Sequence, residues 1–207
     1  MSLFDLAVKG GVMMIPILLC SIIAVGIIIG KWRELRRTQR GSQLLILKMK
    51  NILASGTIEE AIRYCEQSRD LTAHLMIEGL KRSRASRAEI NDALEKAGRD
   101  ELFKLEKYIP TLATIAGLAP LLGFLGTVTG MVNAFMTIQQ LGGNVNASVL
   151  AGGIWEALIT TVAGLIVGII ALIFYNHFTA KIQQIAHELS NISFELNEFI
   201  SQLAPKR

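Results

Sequence analysis

Apolar residues in this chain gather into three long blocks, with most of the charge in the segment between the first and second. Lys9 and Lys31 are separated by 21 uncharged residues, Lys107 and Glu156 by 48, and Glu156 and Lys181 by 24. Each block clears the ~20 residues needed to cross a hydrocarbon slab and exceeds an ordinary core helix. The pattern predicts an all-α integral membrane protein with transmembrane helices near residues 11–30, 111–138 and 157–178. As domains, the chain divides into 1–30 (outside N-terminus and first span), 31–107 (cytoplasmic helical segment), 108–139 (second span), 140–155 (short extracytoplasmic loop), 156–180 (third span) and 181–207 (cytoplasmic helical tail). The first span is long for a signal-peptide core and no small-x-small site closes it, so it is expected to remain as an anchor. The loop is read from Gly142, Gly143, Asn144, Asn146, Gly152 and Gly153, none of them charged.

The polar segment carries its own periodicity. Thr57 with Glu60 and Ser86 with Glu89 have the spacing of capping boxes. From the second box, Ile90, Leu94, Ala97, Leu105 and Tyr108 recur at helical spacing, with Glu101 at the step an apolar residue would fill. With no clear stop before Pro110, helix is expected from about 87 to 138, roughly 78 Å at the standard rise. The tail repeats the pattern more weakly through Ile182, Ile185, Leu189, Ile192, Leu196 and Ile200. Both stripes predict that spans two and three extend into a cytoplasmic helical collar. A helical bundle within one monomer satisfies the same stripes.

Composition agrees: 51% of the 207 residues are hydrophobic, 18% are charged and the mean hydropathy is +0.44. The net charge of +4 comes from segment 31–107, where 17 Lys/Arg face 12 Asp/Glu. Beside membrane spans such a surplus sets topology and meets anionic headgroups, and it puts this segment in the cytoplasm. No nucleic-acid motif accompanies it. Cys20 and Cys65 are isolated and make neither a zinc cluster nor a disulfide framework. His74, His177 and His187 form no ligand set, and a phosphate-binding loop ending in Gly-Lys-Ser/Thr is missing. No metal, nucleotide or redox cofactor is implied, and no enzyme.

Candidate chemistry lies in spans two and three. Gly126, Gly130 and Ala134 stand four apart, Gly123 shares an adjacent stripe, and Thr160, Gly164 and Gly168 repeat the device. Tight helix packing explains the glycines. Thr127, Thr129, Thr160 and Thr161 place hydroxyls at membrane depth near Asn133, which opens a second reading, a wetted polar path. A threonine can also satisfy itself on its own helix. Glu156 is the only acidic residue between Glu106 and Glu188, at the extracytoplasmic mouth of span three. There it either sits favourably at a helix N-terminus or borders an ion path. The spans lack a titratable relay at their centre, so a proton path needs a carboxylate from another chain.

Two stretches, Ala119-Pro120-Leu-Leu-Gly123-Phe-Leu-Gly126-Thr127-Val-Thr-Gly130-Met131 and Gly153-Ile-Trp-Glu156-Ala157-Leu158-Ile-Thr-Thr161-Val-Ala-Gly164-Leu165, resemble the MotA/TolQ/ExbB proton-channel family. Three spans, with the large loop between the first two, are similar to its ExbB/TolQ branch. The resemblance implies a homo-oligomer, commonly a pentamer, around two copies of an ExbD/TolR-like single-span partner that supplies the membrane aspartate. Proton passage would then do mechanical work on the envelope, through a periplasmic energy-transducing protein where one is present. Thr127 and Thr161 correspond to pore-facing threonines, Thr160 less securely. Glu156 corresponds to the acidic residue near the top of span three, and Pro120 to the proline opening the span-two motif. Relatives often carry Ile-Pro-Ala where this chain reads Ile169-Ile170-Ala171, so a proline kink is missing. A membrane scaffold without transport, and the permease subunit of an ATP-driven transporter, are the competing functions.

Overall fold

The computed structural model describes residues 10–38, 47–49, 51–53, 57–68, 71–140 and 147–203. The helices with described bounds are α1 (Met14–Thr38), α2 (Ile58–Glu66), α3 (Leu71–Lys81), α4 (Arg87–Glu106), α5 (Ile109–Gln140) and α6 (Ala147–Leu203), and residues 47–49 and 51–53 are helical as well. Three helical stretches, Met14–Arg36, Arg87–Gln140 and Ala151–Ile200, are long and apolar enough to cross a membrane. The protein is all-α, with three membrane helices and a helical cytoplasmic region. It divides into two compact units: the described residues up to Gly30 with Tyr108–Phe178, and Lys31–Lys107 with the chain from Thr179 onward.

In the polar unit both capping boxes form. The Glu60 and Glu89 backbone N–H groups donate to Thr57 Oγ1 and Ser86 Oγ, each at 3.3 Å. The returning carboxylates accept from the Thr57 and Ser86 N–H groups at 3.4 and 2.9 Å. These caps satisfy N–H groups that a helix start leaves without partners. The Ser86 hydrogen bonds hold the Glu89 carboxyl below the usual carboxylate range. Ile90, Leu94, Ala97 and Leu105 are buried along α4, and Ile182, Ile185, Leu189, Leu196 and Ile200 along the tail of α6. Glu101, the acid within the α4 stripe, is buried as well. Lys104 Nζ lies 2.6 Å from its carboxylate and His74 Nδ1 3.3 Å, which offsets the cost of burying it. Lys31 is another buried charge: its ammonium donates to Glu34 at 2.6 Å and to the Lys104 carbonyl at 3.4 Å, in the last turn of α4. That carbonyl also accepts from the Lys107 N–H at 3.3 Å, and a cation at this helix C-terminus is favoured by the dipole.

Two expectations are corrected. The helix expected from 87 to 138 breaks at Lys107–Tyr108, where Tyr108 takes φ +69°, and Tyr108 is 53% exposed rather than part of the buried stripe. Pro110 gives the reason. In an unbroken helix it would lack the N–H needed to bond the Glu106 carbonyl and its ring would clash there, whereas in the first turn of α5 no such bond is required. The loop expected at 140–155 is also shorter. Gln140 ends α5, and α6 already runs from Ala147 through Gly152 and Gly153. In a membrane the helix is the cheapest way to satisfy these backbone groups, which outweighs the low helix propensity of glycine. Gly142, Gly143, Asn144 and Asn146 lie outside the described residues. Through Ile169-Ile170-Ala171 the helix continues without interruption.

Cys65 is fully buried in the polar unit, its thiol 3.9 Å from Met76 Sδ, and burial pushes its pKa up to about 11 from 9.0. A pKa raised in the folded state means that the stability tied to the protonated thiol is fully present below pH 9 and is lost between pH 9 and about 11. At pH 8 the thiolate fraction should fall about a hundredfold on folding. Maleimide labelling of Cys65 in a Cys20→Ala chain is accordingly expected to be at least that much slower in the native protein than in SDS. Equal rates would contradict the burial.

Candidate functional site

The candidate site is the seam between α5 and α6, which run antiparallel with backbone nearly touching backbone. Gly123, Gly126, Gly130 and Ala134 are all buried on α5. A Cβ on Gly123 would lie 2.9 Å from the Thr160 carbonyl and 3.1 Å from the Thr161 Cα. One on Gly126 would strike the Thr160 side chain, and one on Gly130 would lie 3.2 Å from the Ala157 Cβ. From the other side, a Cβ on Gly164 would run into the Ala119 carbonyl, and one on Gly168 would lie 2.5 Å from the Pro120 ring. Pro120 cannot donate to the Ala116 carbonyl one turn back. The same Cβ on Gly168 would come within 3.1 Å of that oxygen.

Two members of the seam were not read as packing residues in the sequence, where Gly153 was placed in the loop. Gly153 sits where a Cβ would lie 2.6 Å from the Ala134 Cβ, and Ala157 is buried against Gly130. Their signal was present, since Gly153 and Ala157 extend by two turns the spacing that continues at Thr160/Thr161, Gly164 and Gly168.

The hydroxyls divide into two classes. Thr127 Oγ1 donates to the Phe124 carbonyl at 2.6 Å, and Thr129 Oγ1 reaches the Leu125 and Gly126 carbonyls at 3.1 Å each, all within α5. Thr160 and Thr161 cross the seam. Thr161 Oγ1 donates to the Gly123 carbonyl at 3.1 Å, while Thr160 Oγ1 lies 2.7 Å from the Ala157 carbonyl and 3.4 Å from that of Gly123. Thr160 is 1% exposed. The sequence reading put Thr160 on the ion path. The structure seats it inside the seam, because Gly126 leaves a hollow that its side chain fills. Thr127 and Thr161 are half-buried, and Asn133 is exposed.

The contacts fix a register in which 120 faces 168, 123 faces 160–164 and 130 faces 153–157. Along the pair, Glu156 comes first from the extracytoplasmic end, then Thr127, then Thr161. Glu156 is half-buried, and its carboxylate lies over the backbone of Gly11, where a Cβ would collide with it. The sequence offered the N-terminus of its own helix as the group favouring this carboxylate. Because α6 starts at Ala147, Glu156 lies more than two turns inside, beyond the reach of that dipole.

Substitution at Gly164 has no room to be absorbed, since the atoms it would meet are backbone. Gly164→Ala is expected to cost about 1–3 kcal/mol, the usual range for overpacking. Gly152→Ala and Gly117→Ala, which would meet nothing within 4 Å, are expected to be neutral or slightly favourable. Thermal unfolding of the detergent-solubilised variants measures this; a Gly164→Ala protein as stable as the Gly152→Ala protein would refute the close seam.

Comparison with known proteins gives the family. The profile of the MotA/TolQ/ExbB proton channel family matches residues 67–191. The ExbB-like 3 biopolymer transport protein of Synechocystis is 36% identical over 175 residues, covering 82% of this chain and 81% of that protein. The biopolymer transport protein ExbB of Pseudomonas putida is 31% identical over 96% of this chain and 61% of its own length. The Tol-Pal system protein TolQ of Haemophilus influenzae is 33% identical over 54% of this chain and 49% of its own. With its three membrane helices, this chain belongs to the MotA/TolQ/ExbB proton channel family, on the ExbB/TolQ side, as a multi-pass inner-membrane channel subunit and not an enzyme.

Proposed function

We propose that this chain forms the wall of a proton path and couples the proton-motive force to mechanical work in the cell envelope, the decisive carboxylate coming from a second, single-span protein. One observation carries the reading. No Asp, Glu, Lys, Arg or His occurs between Lys107 and Glu156, or from Ala157 through Phe174, yet Thr161 presents a half-buried hydroxyl at the seam. Threonine orients water and hydrogen-bonds a carboxylate, but it does not titrate near neutral pH. Protons would be gathered at Glu156 and pass Thr127 toward a partner aspartate opposite Thr161. They would leave on the cytoplasmic side, where Lys and Arg are in excess. Thr160, seated in the seam, would set the spacing of the helices and not line the path.

The partner this requires is an ExbD/TolR-like chain, in two copies inside a homo-oligomer of five, with a periplasmic energy-transducing protein receiving the work. The exposed apolar residues of the membrane helices, among them Leu121, Phe124, Leu158 and Ile166, suit both lipid and neighbouring copies. The names of the relatives favour biopolymer transport or Tol-type envelope work over motility.

Thr161→Ala removes an interhelical hydrogen bond worth about 0.6 kcal/mol on average in membranes, so the complex should still assemble. Proton flux through vesicles holding the assembled complex is expected to fall several-fold, and Thr161→Ser to retain most of it. Wild-type flux in an assembled Thr161→Ala complex would remove Thr161 from the path.

A further inference from the structure

The turn that opens α1 is placed against the outer part of α6. The Met14 and Ile15 N–H groups donate to the Gly11 and Val12 carbonyls, each at 3.2 Å, closing the turn onto the helix start. Gly10 is buried, and a Cβ on it would lie 3.4 Å from Ile159 Cγ2. Gly11 meets two demands at once. Its φ is +65°, in the left-handed region that side chains other than glycine rarely adopt. The volume its missing Cβ would fill is occupied by Glu156 Oε1. A carboxylate at that point lies beside the N-terminus of α1, where the aligned peptide dipoles favour negative charge. The start of its own helix, nine residues away, cannot supply this.

We infer that Gly11 is a positioning residue for Glu156: the first membrane helix, through a turn without a side chain, sets where the carboxylate stands at the mouth of the proton path. This gives the first span a part in the path without lining it. It rests on the reading of Glu156 as the entrance group.

The test uses the full-length chain with its co-purified single-span partner, reconstituted in lipid vesicles. In the wild-type complex, solid-state NMR is expected to show a through-space correlation between Gly11 Cα and Glu156 Cδ. Its absence overturns the inference without relying on any variant. Gly11→Ala should then lower proton flux several-fold. Gly11→Asn should do the same although Asn tolerates positive φ, because it too carries a Cβ; wild-type flux in Gly11→Asn overturns the inference. Shortening the acid by one methylene makes room. In a Glu156→Asp background, adding Gly11→Ala should change flux by less than about twofold, the additivity limit for uncoupled sites. An equal fold loss in both backgrounds shows backbone strain alone and overturns the positioning role. Wild-type flux in Glu156→Gln with the NMR contact intact would instead sink the entrance reading and leave the geometry standing.

Discussion

The distance between the α5 and α6 backbones constrains everything else in the membrane unit. At Gly123, Gly126, Gly130 and Ala134 on one helix, and Gly153, Ala157, Gly164 and Gly168 on the other, side chains are reduced to a hydrogen or a methyl. In lipid there is little hydrophobic gain from bringing two helices together, so association depends on van der Waals contact and on hydrogen bonds between helices. Small residues permit the approach, and the approach puts the Gly123 carbonyl within reach of Thr161 Oγ1 at 3.1 Å. Pro120 fits the same scheme, its ring lying where a side chain on residue 168 would have gone.

That seam also gives the hydroxyls different surroundings. Thr160 fills the hollow over Gly126 and is 1% exposed. Thr161, its neighbour in sequence, points about 100° further round the helix and stays half-buried at the edge of the contact. Two adjacent threonines thus differ in exposure because a helix turns between them. Thr127 keeps its hydroxyl on its own carbonyl ladder, leaving its lone pairs open to water or a partner side chain.

Much of this was legible in the sequence. Charge spacing located three membrane helices, the Thr57–Glu60 and Ser86–Glu89 pairs located two helix starts, and four-residue spacing located the seam. What the sequence did not show were effects that depend on contact. Periodicity ran through Lys107 and Tyr108 without interruption, and only the local conflict around Pro110 stops α4. The Gly152-Gly153 pair read as a loop because propensity scales describe helices in water, not in lipid. Thr160 and Thr161 were equivalent as composition, and only the partner helix distinguishes them. Gly11, an unremarkable glycine before an apolar run, gains meaning from Glu156, 145 positions later.

The account depends on the claim that this chain builds the wall of a proton path but does not hold its titratable centre. Proton flux into vesicles driven by an imposed potential, measured for the purified chain alone and for the chain with its co-purified single-span partner, tests that claim directly. The chain alone is expected to be silent, and flux should appear with the partner and vanish when the partner's membrane carboxylate is neutralised. Robust flux through the chain alone would contradict it.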